Sequence, residues 1–248
     1  MIASLPMYDW PEIQAETDLL WESLRDHLTD EGVDAPATLT RGEDPWAHWL
    51  NPSLTLSQTC GLPYSAKLAG RAVLLGAPDY QLPDSPKGTY RSVVIARTEG
   101  AEVMDLRGAK FAYNMRESQS GWAALNKVLP IEEHFGELVQ SGAHRNSIIS
   151  VADGVSDCAA IDAVSWALAQ RVEPAASKVH VIAVTPPTPG LPYITGQANA
   201  GKAKELAGAV SQAIAALPHE VRSALLLRGF KEWSDEDYAP LAAGWPES

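Results

Sequence analysis

The hydrophobic positions of the chain fall into short runs, separated by longer stretches in which apolar residues recur every three or four positions. Short apolar or alternating runs are typical of strands, and they occur at residues 2–5, 37–39, 53–57, 72–75, 92–96, 110–113, 158–161 and 179–184. Helical spacing predicts helices within residues 9–32, 118–129, 148–153, 163–168, 206–217 and 218–225. Strands that alternate with helices imply parallel sheets, so we predict an α/β fold.

Two connections that are rich in proline divide the chain into segments. They lie at residues 78–88 and 185–190, where Pro, Asp, Ser and Gly interrupt the apolar runs. We therefore predict two lobes joined by two crossings, with the C-terminal helices returning to the first lobe. Lobe I comprises residues 1–84 and 188–248, and lobe II comprises residues 85–187.

Composition and charge narrow the classes of partner. The 248 residues are 46% hydrophobic, and their formal net charge of −12 argues against nucleic acid or an anionic membrane as a partner. No apolar run approaches the roughly 20 residues that cross a bilayer, so no membrane insertion is expected. Residues 1–6 lack the basic flank and apolar core of a signal peptide, which leaves either a cytoplasmic protein or one whose leader was removed.

The stretch FAYNMRESQSGWAALNKVL, residues 111–129, places a small polar cluster at the start of a helix. A helix N-terminus carries unpaired backbone N–H groups and a partial positive charge. Ser118 can cap the helix, Ser118 and Ser120 add hydroxyls, and a bare Gly121 beside Gln119 would let a ligand approach the backbone. These residues predict a cradle for phosphate, phosphonate or carboxylate, with an ordinary capped helix as the alternative.

The stretch SLTLSQTCGLPYSAK, residues 53–67, ends a predicted strand in a second small polar turn, Thr59, Cys60 and Gly61. In open α/β sheets ligands bind beyond the carboxyl ends of strands. Two such turns that face each other would hold an anion between the lobes. The alternative for this stretch is a tight turn that needs Gly61.

Four further residues have both a functional and a structural interpretation. His144 precedes a helix and could donate to a phosphate oxygen, or it could be a lone surface histidine. Asp162 lies at a strand end, where it could accept a hydrogen bond from the ligand or cap the helix that begins at residue 163. Tyr8 and Trp46 could be aromatic residues of a cleft, with core packing as the alternative.

Other motifs point away from nucleotide, metal and catalytic chemistry. Residues 196–203 match phosphate-loop spacing, but Ala203 replaces the Ser or Thr that would hold magnesium, so we interpret them as a polar turn that opens a helix. No nucleophile elbow or zinc-protease motif occurs, and Cys60 and Cys158 are expected to be two buried thiols. We therefore predict no cofactor, no metal and no catalytic residue.

Three segments together resemble the substrate-binding proteins of phosphate/phosphonate-type ABC transporters. They are DLRGAKFAYNMRESQSGWAAL, SGAHRNSIISVADGVSDCAAIDAVSWAL and VIAVTPPTPGLPYIT. The resemblance covers roughly residues 100–195, and LTLSQTCGLPYS is similar in placement. Gln119 departs from the family pattern, in which a Thr is common.

The resemblance implies a two-lobed type II periplasmic binding fold, in which each lobe is a mainly parallel sheet flanked by helices and two crossover strands form a hinge. It implies that a monomer closes around a small anionic ligand and delivers it to an ABC transporter permease, in the periplasm. The implied anion contacts are Ser118, Ser120, Gly121 and His144, with Asp162 on the cleft wall and Thr59 and Gly61 on the opposite lobe. Tyr8 or Trp46 would contact an organic tail.

Two alternatives stay open on the same scaffold. Leaderless relatives of this fold include dehydratases of the menaquinone route and pyrimidine-forming thiamin enzymes, and Cys60, His144 and Asp162 could share one cleft in such an enzyme. A cytoplasmic sensor that reports its ligand to a partner protein is the other alternative.

Overall fold

The computed structural model describes residues 1–80 and 82–246, which form two compact units. Unit 1 comprises Met1–Gln81, Lys87–Thr89 and Pro189–Ala242, and unit 2 comprises Leu82–Pro86, Tyr90–Thr188 and Ala243–Ser248. The predicted lobe boundaries, 1–84 with 188–248 and 85–187, stay a prediction. They also include residues 81, 247 and 248, which lie outside the described residues.

Strands and helices alternate along most of the described chain. The strands are β1 Ile2–Ser4, β2 Leu54–Gln58, β3 Ala72–Tyr80, β4 Thr89–Tyr90, β5 Ser92–Ala96, β6 Lys110–Tyr113, β7 Glu137–Gln140, β8 Cys158–Asp162, β9 His180–Val184, β10 Thr188–Pro189, β11 Tyr193–Gly196 and β12 Leu227–Lys231. The α-helices are α1 Gln14–Asp30, α2 Pro45–Trp49, α3 Gly61–Pro63, α4 Ala124–Asn126, α5 Ile131–His134, α6 His144–Ala152, α7 Ala163–Val172, α8 Ala203–Ala216, α9 His219–Ala224 and α10 Asp235–Tyr238. Two π-helical turns, Tyr64–Leu68 and Gln119–Ala123, continue α3 and precede α4.

Unit 1 is built on a five-stranded sheet in the order β1-β2-β11-β3-β12. Strands β1 and β2 are parallel, whereas β11 runs antiparallel to both β2 and β3, and β12 runs antiparallel to β3. Helices α1 and α8 pack together, and the Ser23 hydroxyl donates to the Ala213 carbonyl at 2.9 Å. A buried aromatic cluster that includes Trp49, Tyr64 and Tyr238 fills the space beside β2 and β11.

Unit 2 is built on a second five-stranded sheet in the order β7-β6-β8-β5-β9. Strand β6 is parallel to β7 and β8, and β5 runs antiparallel to β8 and β9. Every residue of β5 and β8 is buried, as expected for central strands that read as continuous apolar runs. Phe111, Trp122 and Phe135 are among the residues that form the core cluster beside β6.

The prediction of an α/β fold with two sheets and flanking helices is confirmed, but the expectation of mainly parallel sheets needs correction. Both sheets are mixed, because β11 is inserted between β2 and β3 and β5 is inserted between β8 and β9. Each inserted strand follows a point at which the chain changes unit, and it enters its sheet in the direction opposite to its neighbours. The two crossing segments, β4 and β10, pair with each other as a two-stranded sheet.

Several local predictions also differ from the structure. Residues 37–39 do not form a strand. The first helical turn begins with Pro11 after Trp10, and Asp9, which was expected to cap it, binds Arg41 instead. Strands β7, β11 and β12 were not predicted. Cys158 is buried as expected, whereas Cys60 is partly exposed.

Candidate functional site

The polar turn after β6 is positioned by the central strands of unit 2. Strand β6 ends at Tyr113, and Ser118 then caps the helical segment that begins with the π-helical turn Gln119–Ala123. The Ser118 hydroxyl accepts a hydrogen bond from the Gly121 amide at 3.0 Å. Ser118, Gln119 and Ser120 are all buried, with 3–4% of each residue exposed. The predicted cap is therefore present, and buried polar side chains surround the first amide groups of the segment.

Ser120 joins this turn to the helix α6. Its hydroxyl lies 2.9 Å from Nε2 of His144, which is the first residue of α6. Burial lowers the pKa of His144 to about 4, and an interaction with the Ala160 backbone opposes this shift only weakly. The imidazole is therefore neutral at neutral pH and carries one N–H. It acts in this turn as a hydrogen-bonding group without a fixed charge.

Gly121 has a different neighbour from the one predicted. A Cβ at position 121 would lie 1.9 Å from Oδ1 of Asn114 and 3.3 Å from Cε1 of His144. The space that a side chain would need is therefore occupied by the amide of Asn114. The glycine makes room for a protein side chain, and a contact of Gly121 with a ligand stays a prediction.

Two residues that were not predicted, Ser92 and Thr185, position the turn. The Ser92 hydroxyl donates to the Ser120 carbonyl at 2.8 Å, and the Ser92 amide donates to the Thr185 hydroxyl at 3.0 Å. Ser92 begins β5 and Thr185 follows β9, so both lie where the chain enters and leaves unit 2. A hydroxyl residue at the end of an apolar strand is the only signal that could have found them.

Asp162 caps the helix α7, as the structural interpretation predicted. It ends β8, and its Oδ1 accepts hydrogen bonds from the amides of Val164 at 2.7 Å and Ser165 at 2.9 Å. Asp162 also lies opposite Ser92 in the β5–β8 ladder, which places it near the polar turn. A contact of its carboxylate with a ligand stays a prediction.

The second predicted turn lies in unit 1. Thr59 is fully buried, and its amide donates to the Pro192 carbonyl at 3.0 Å. Cys60 caps the helix α3, and Gly61 is its first residue, where a Cβ would lie 2.9 Å from a methyl group of Leu241. Gly61 therefore has a packing reason to be glycine, and a ligand contact at this turn stays a prediction.

The two predicted cleft aromatics pack against other rings of unit 1. Tyr8 makes an edge contact with Tyr80, with ring centroids 5.2 Å apart. Trp46 packs against Trp49 at 5.1 Å and lies beside the aromatic core cluster. Core packing accounts for both contacts, and a role in reading an organic tail stays a prediction.

Residues 196–203 join strand β11 to helix α8. Gly196 ends β11, and residues 197–202 form a 3-10 turn that leads into α8, as the polar-turn interpretation predicted. Strand β11, which leads directly into this segment, was not predicted. Lys202 Nζ donates to the carbonyls of Glu31 at 2.7 Å and Gly32 at 3.2 Å, so it caps the C-terminal end of α1.

Residues 1–80 and 82–246 contain no group of three or more His, Cys, Asp or Glu side chains that could hold a metal ion. None of the helices within those residues is long and apolar enough to cross a membrane.

Two α/β units with mixed sheets, together with a buried serine-rich turn at the carboxyl end of a strand, define the class of type II periplasmic binding proteins. A family model described as "ABC transporter, phosphonate, periplasmic substrate-binding protein" matches residues 58–238. The chain therefore belongs to this family of substrate-binding transport proteins. A search of curated proteins gave no match.

Solved structures show the same fold over nearly the whole chain. PhnD1 from Prochlorococcus marinus, in complex with methylphosphonate, aligns with a TM-score of 0.74 at 14% identity, covering 98% of this chain and 96% of the other. A protein from Xanthomonas citri bound to chloride ion aligns with a TM-score of 0.73 at 14% identity, with the same coverage. A binding protein component of an ABC phosphonate transporter from Pseudomonas aeruginosa aligns with a TM-score of 0.72 at 16% identity, covering 96% of this chain and 83% of the other.

Proposed function

We propose that this chain binds a small tetrahedral oxyanion of the phosphonate and phosphate class at the polar turn of residues 118–121, as the substrate-binding component of an ABC-type uptake system. The observation that carries the proposal is the buried turn itself, in which Ser118, Gln119 and Ser120 lie at the start of a helical segment beside His144. Amide groups at a helix start favour negative charge, and an enclosed site strengthens each hydrogen bond to it.

Hydrogen bonds, not a cationic side chain, are the proposed source of affinity. His144 is neutral because burial lowers its pKa to about 4. With its proton on Nε2, the ring donates to the Ser120 hydroxyl, which can then turn its own proton toward the ligand. The Ser118 hydroxyl accepts a hydrogen bond from the Gly121 amide, and the proton of this hydroxyl stays available for an oxyanion. Backbone and hydroxyl donors would thus surround the anion.

The ligand class rests on the family and on one relative. The matching family is described as phosphonate-binding, and PhnD1 from Prochlorococcus marinus was solved with methylphosphonate. Gln119 replaces the Thr that is common in the family, so an amide takes the place of one hydroxyl donor. We propose that both phosphonates and inorganic phosphate bind this turn, with an uptake permease as the protein partner.

Contributions from the other predicted residues are part of the proposal. Thr59, Cys60 and Gly61 are proposed to contact the same ligand from unit 1, with Tyr8 or Trp46 against an organic substituent and Asp162 near the bound anion. Single substitutions Thr59→Val and Asp162→Asn test them, because each should weaken binding without unfolding the chain. A monomer that acts in the periplasm is the proposed state, which size-exclusion chromatography and fractionation of the producing cells would check.

Calorimetric titration tests the function. Methylphosphonate, phosphite, phosphate and sulfate are titrated into the wild-type chain and into the Ser120→Ala variant. Loss of one hydrogen bond to a charged group should weaken the binding of phosphonate by about tenfold or more. Ser177 provides the matched control, because it is an exposed serine of unit 2 whose hydroxyl only donates to the Pro174 carbonyl.

The alternatives give different results in the same experiments. The absence of binding heat and of a thermal shift with all of these anions would contradict the proposal. Steady turnover of a ligand that is lost in Cys60→Ala or His144→Ala would instead indicate an enzyme on this scaffold. A partner protein captured only in the presence of ligand would indicate a sensor. The family assignment favours neither alternative.

A further inference from the structure

Asn114 carries a buried hydrogen-bond acceptor without a partner in the described part of the chain. It follows β6 directly, and only 8% of the residue is exposed. Its Oδ1 is buried and has no hydrogen-bond partner among the residues that the structure describes. A buried carbonyl oxygen without a donor is energetically unfavourable, so this oxygen calls for a donor that the described residues do not supply.

The unsatisfied oxygen lies at the proposed oxyanion site. It is 1.9 Å from the point at which a Cβ of Gly121 would stand, and the same point is 3.3 Å from Cε1 of His144. Gly121 belongs to the turn, and His144 contacts the turn through the Ser120 hydroxyl. The amide of Asn114 therefore lies against the turn of residues 118–121.

Backbone hydrogen bonds to the following loop fix the position of Asn114. The Asn114 carbonyl accepts from the Gly142 amide at 3.1 Å, and the Tyr113 carbonyl accepts from the Ser141 amide at 2.8 Å. These bonds fix the end of β6 beside the loop that leads to α6. Asn114 thus has a well-defined position from which its amide can act.

The chemistry of an acceptor limits what it can recognise. An ionised oxygen of an oxyanion is itself an acceptor and gains nothing from a carbonyl oxygen, whereas a protonated oxygen can donate to it. On the basis of the proposed function, we propose that Asn114 is a specificity-determining residue whose amide oxygen accepts a hydrogen bond from a P–OH group of the ligand. The site then prefers protonated phosphonate and hydrogenphosphate over sulfonate and sulfate.

Two matched pairs of ligands isolate that one proton. Hydrogenphosphate and sulfate are both tetrahedral dianions, and only the first carries a proton. The methylphosphonate monoanion and methanesulfonate form a second pair, compared at a pH below the second pKa of methylphosphonate. Titration calorimetry of the wild-type chain should give affinities that are about tenfold or more higher for the protonated member of each pair, as expected for one hydrogen bond beside a charged group.

Two variants of Asn114 test whether the amide causes that preference. In Asn114→Leu and Asn114→Ala the affinity ratio within each pair should fall close to one, mainly because the protonated ligand binds more weakly. Asn126 gives the matched control, because its Oδ1 is already used by the Ile131 amide at 2.9 Å. Asn126→Ala should lower stability and leave both ratios unchanged. If one Asn114 variant fails to fold, the other decides the test.

The outcomes separate this inference from the proposed function. Equal wild-type binding of phosphate and sulfate overturns the acceptor role while leaving oxyanion binding intact, as expected if the amide is turned to present its N–H₂ group. An equal loss of both members of each pair in the variants also overturns it and indicates a purely structural role. No binding of any anion by the wild-type chain overturns the proposed function itself.

Discussion

His144 should make the stability of the protein depend on pH in the weakly acid range. Burial lowers its pKa from 6.5 to about 4, so the unfolded chain takes up a proton on this ring before the folded chain does. Stability should therefore be fully present above the unfolded pKa and decline as pH falls from 6.5 to about 4. The loss amounts to at most about 3.5 kcal/mol, since one pKa unit is worth about 1.4 kcal/mol.

Urea unfolding across this pH range measures the effect. The His144→Asn variant keeps a polar side chain that does not titrate, and its free energy of unfolding should change less with pH than that of the wild-type chain. Parallel curves for the two proteins would mean that the ring is as accessible to protons in the folded state as in the unfolded one.

At this scale the sequence predicted the cap by Ser118, because a strand end followed by small polar residues has few local outcomes, whereas only the family resemblance grouped Ser120 with His144. Whether these residues contact a ligand stays a prediction. Asn114 and Ser92 were missed, because their partners, Gly121 and Ser120, are brought to them by folding across the turn and across the sheet. No local spacing encodes such contacts.

At the scale of whole elements, Lys202 should stabilise the helix α1 from a distance in sequence. Its ammonium donates to the carbonyls of Glu31 and Gly32, where the negative end of the helix dipole lies. Lys202→Ala should lower the free energy of unfolding by about 0.5–1 kcal/mol, and anion affinity should be unchanged. Urea unfolding and calorimetric titration check the two expectations.

Lys204 offers the control, because it is an exposed lysine two residues further along. Lys204→Ala should change neither stability nor binding measurably. Loss of anion binding in Lys202→Ala would contradict a role limited to capping. It would instead favour phosphate binding by residues 196–203.

The elements that the sequence predicted are those whose own residues carry the signal. Strands β5, β6 and β8 are runs of buried apolar residues, and α8 keeps its apolar spacing from Leu206 to Ile214. Strands β7 and β12 were missed because each contains charged and exposed residues and depends on a neighbouring strand for its ladder. Residues 37–39 look like a strand, but the described contact with β1 is a single bond from the Thr40 amide to Ala3.

At the scale of the whole molecule, the net charge of the protein and the charge of the proposed ligand are both negative. The formal net charge of −12 creates a negative field that opposes the approach of an anion, whereas the proposed site attracts it only over a few ångströms. Salt screens the field, with a Debye length of about 10 Å at 0.1 M. The association rate constant for hydrogenphosphate should therefore rise, by about twofold, as ionic strength increases from low values to about 0.1 M.

Stopped-flow fluorescence can follow this reaction, because Trp122 comes directly after Gly121 and is 5% exposed. The added salt should have a bulky organic anion that does not fit the site. A rate constant that falls steeply with salt would instead reveal a cluster of basic side chains that guides the ligand.

The composition predicted the negative sign of that field, and the alternation of strands and helices predicted the fold class. The strand order could not be predicted, because β5 and β11 enter their sheets only after the chain has crossed between units. A strand that returns from elsewhere carries no local mark of its direction. This is why the sheets were expected to be mainly parallel and are mixed.

The shared volume of Asn114 and Gly121 restricts the order in which mutations at these two positions can accumulate. A side chain at position 121 overlaps the Asn114 amide as long as that amide is present. A lineage that first shortens residue 114 passes through a tolerable intermediate with a small void, whereas one that first enlarges residue 121 passes through a steric clash. Selectivity at this site would therefore be retuned through position 114 first, and the two residues should change as a pair among diverging relatives.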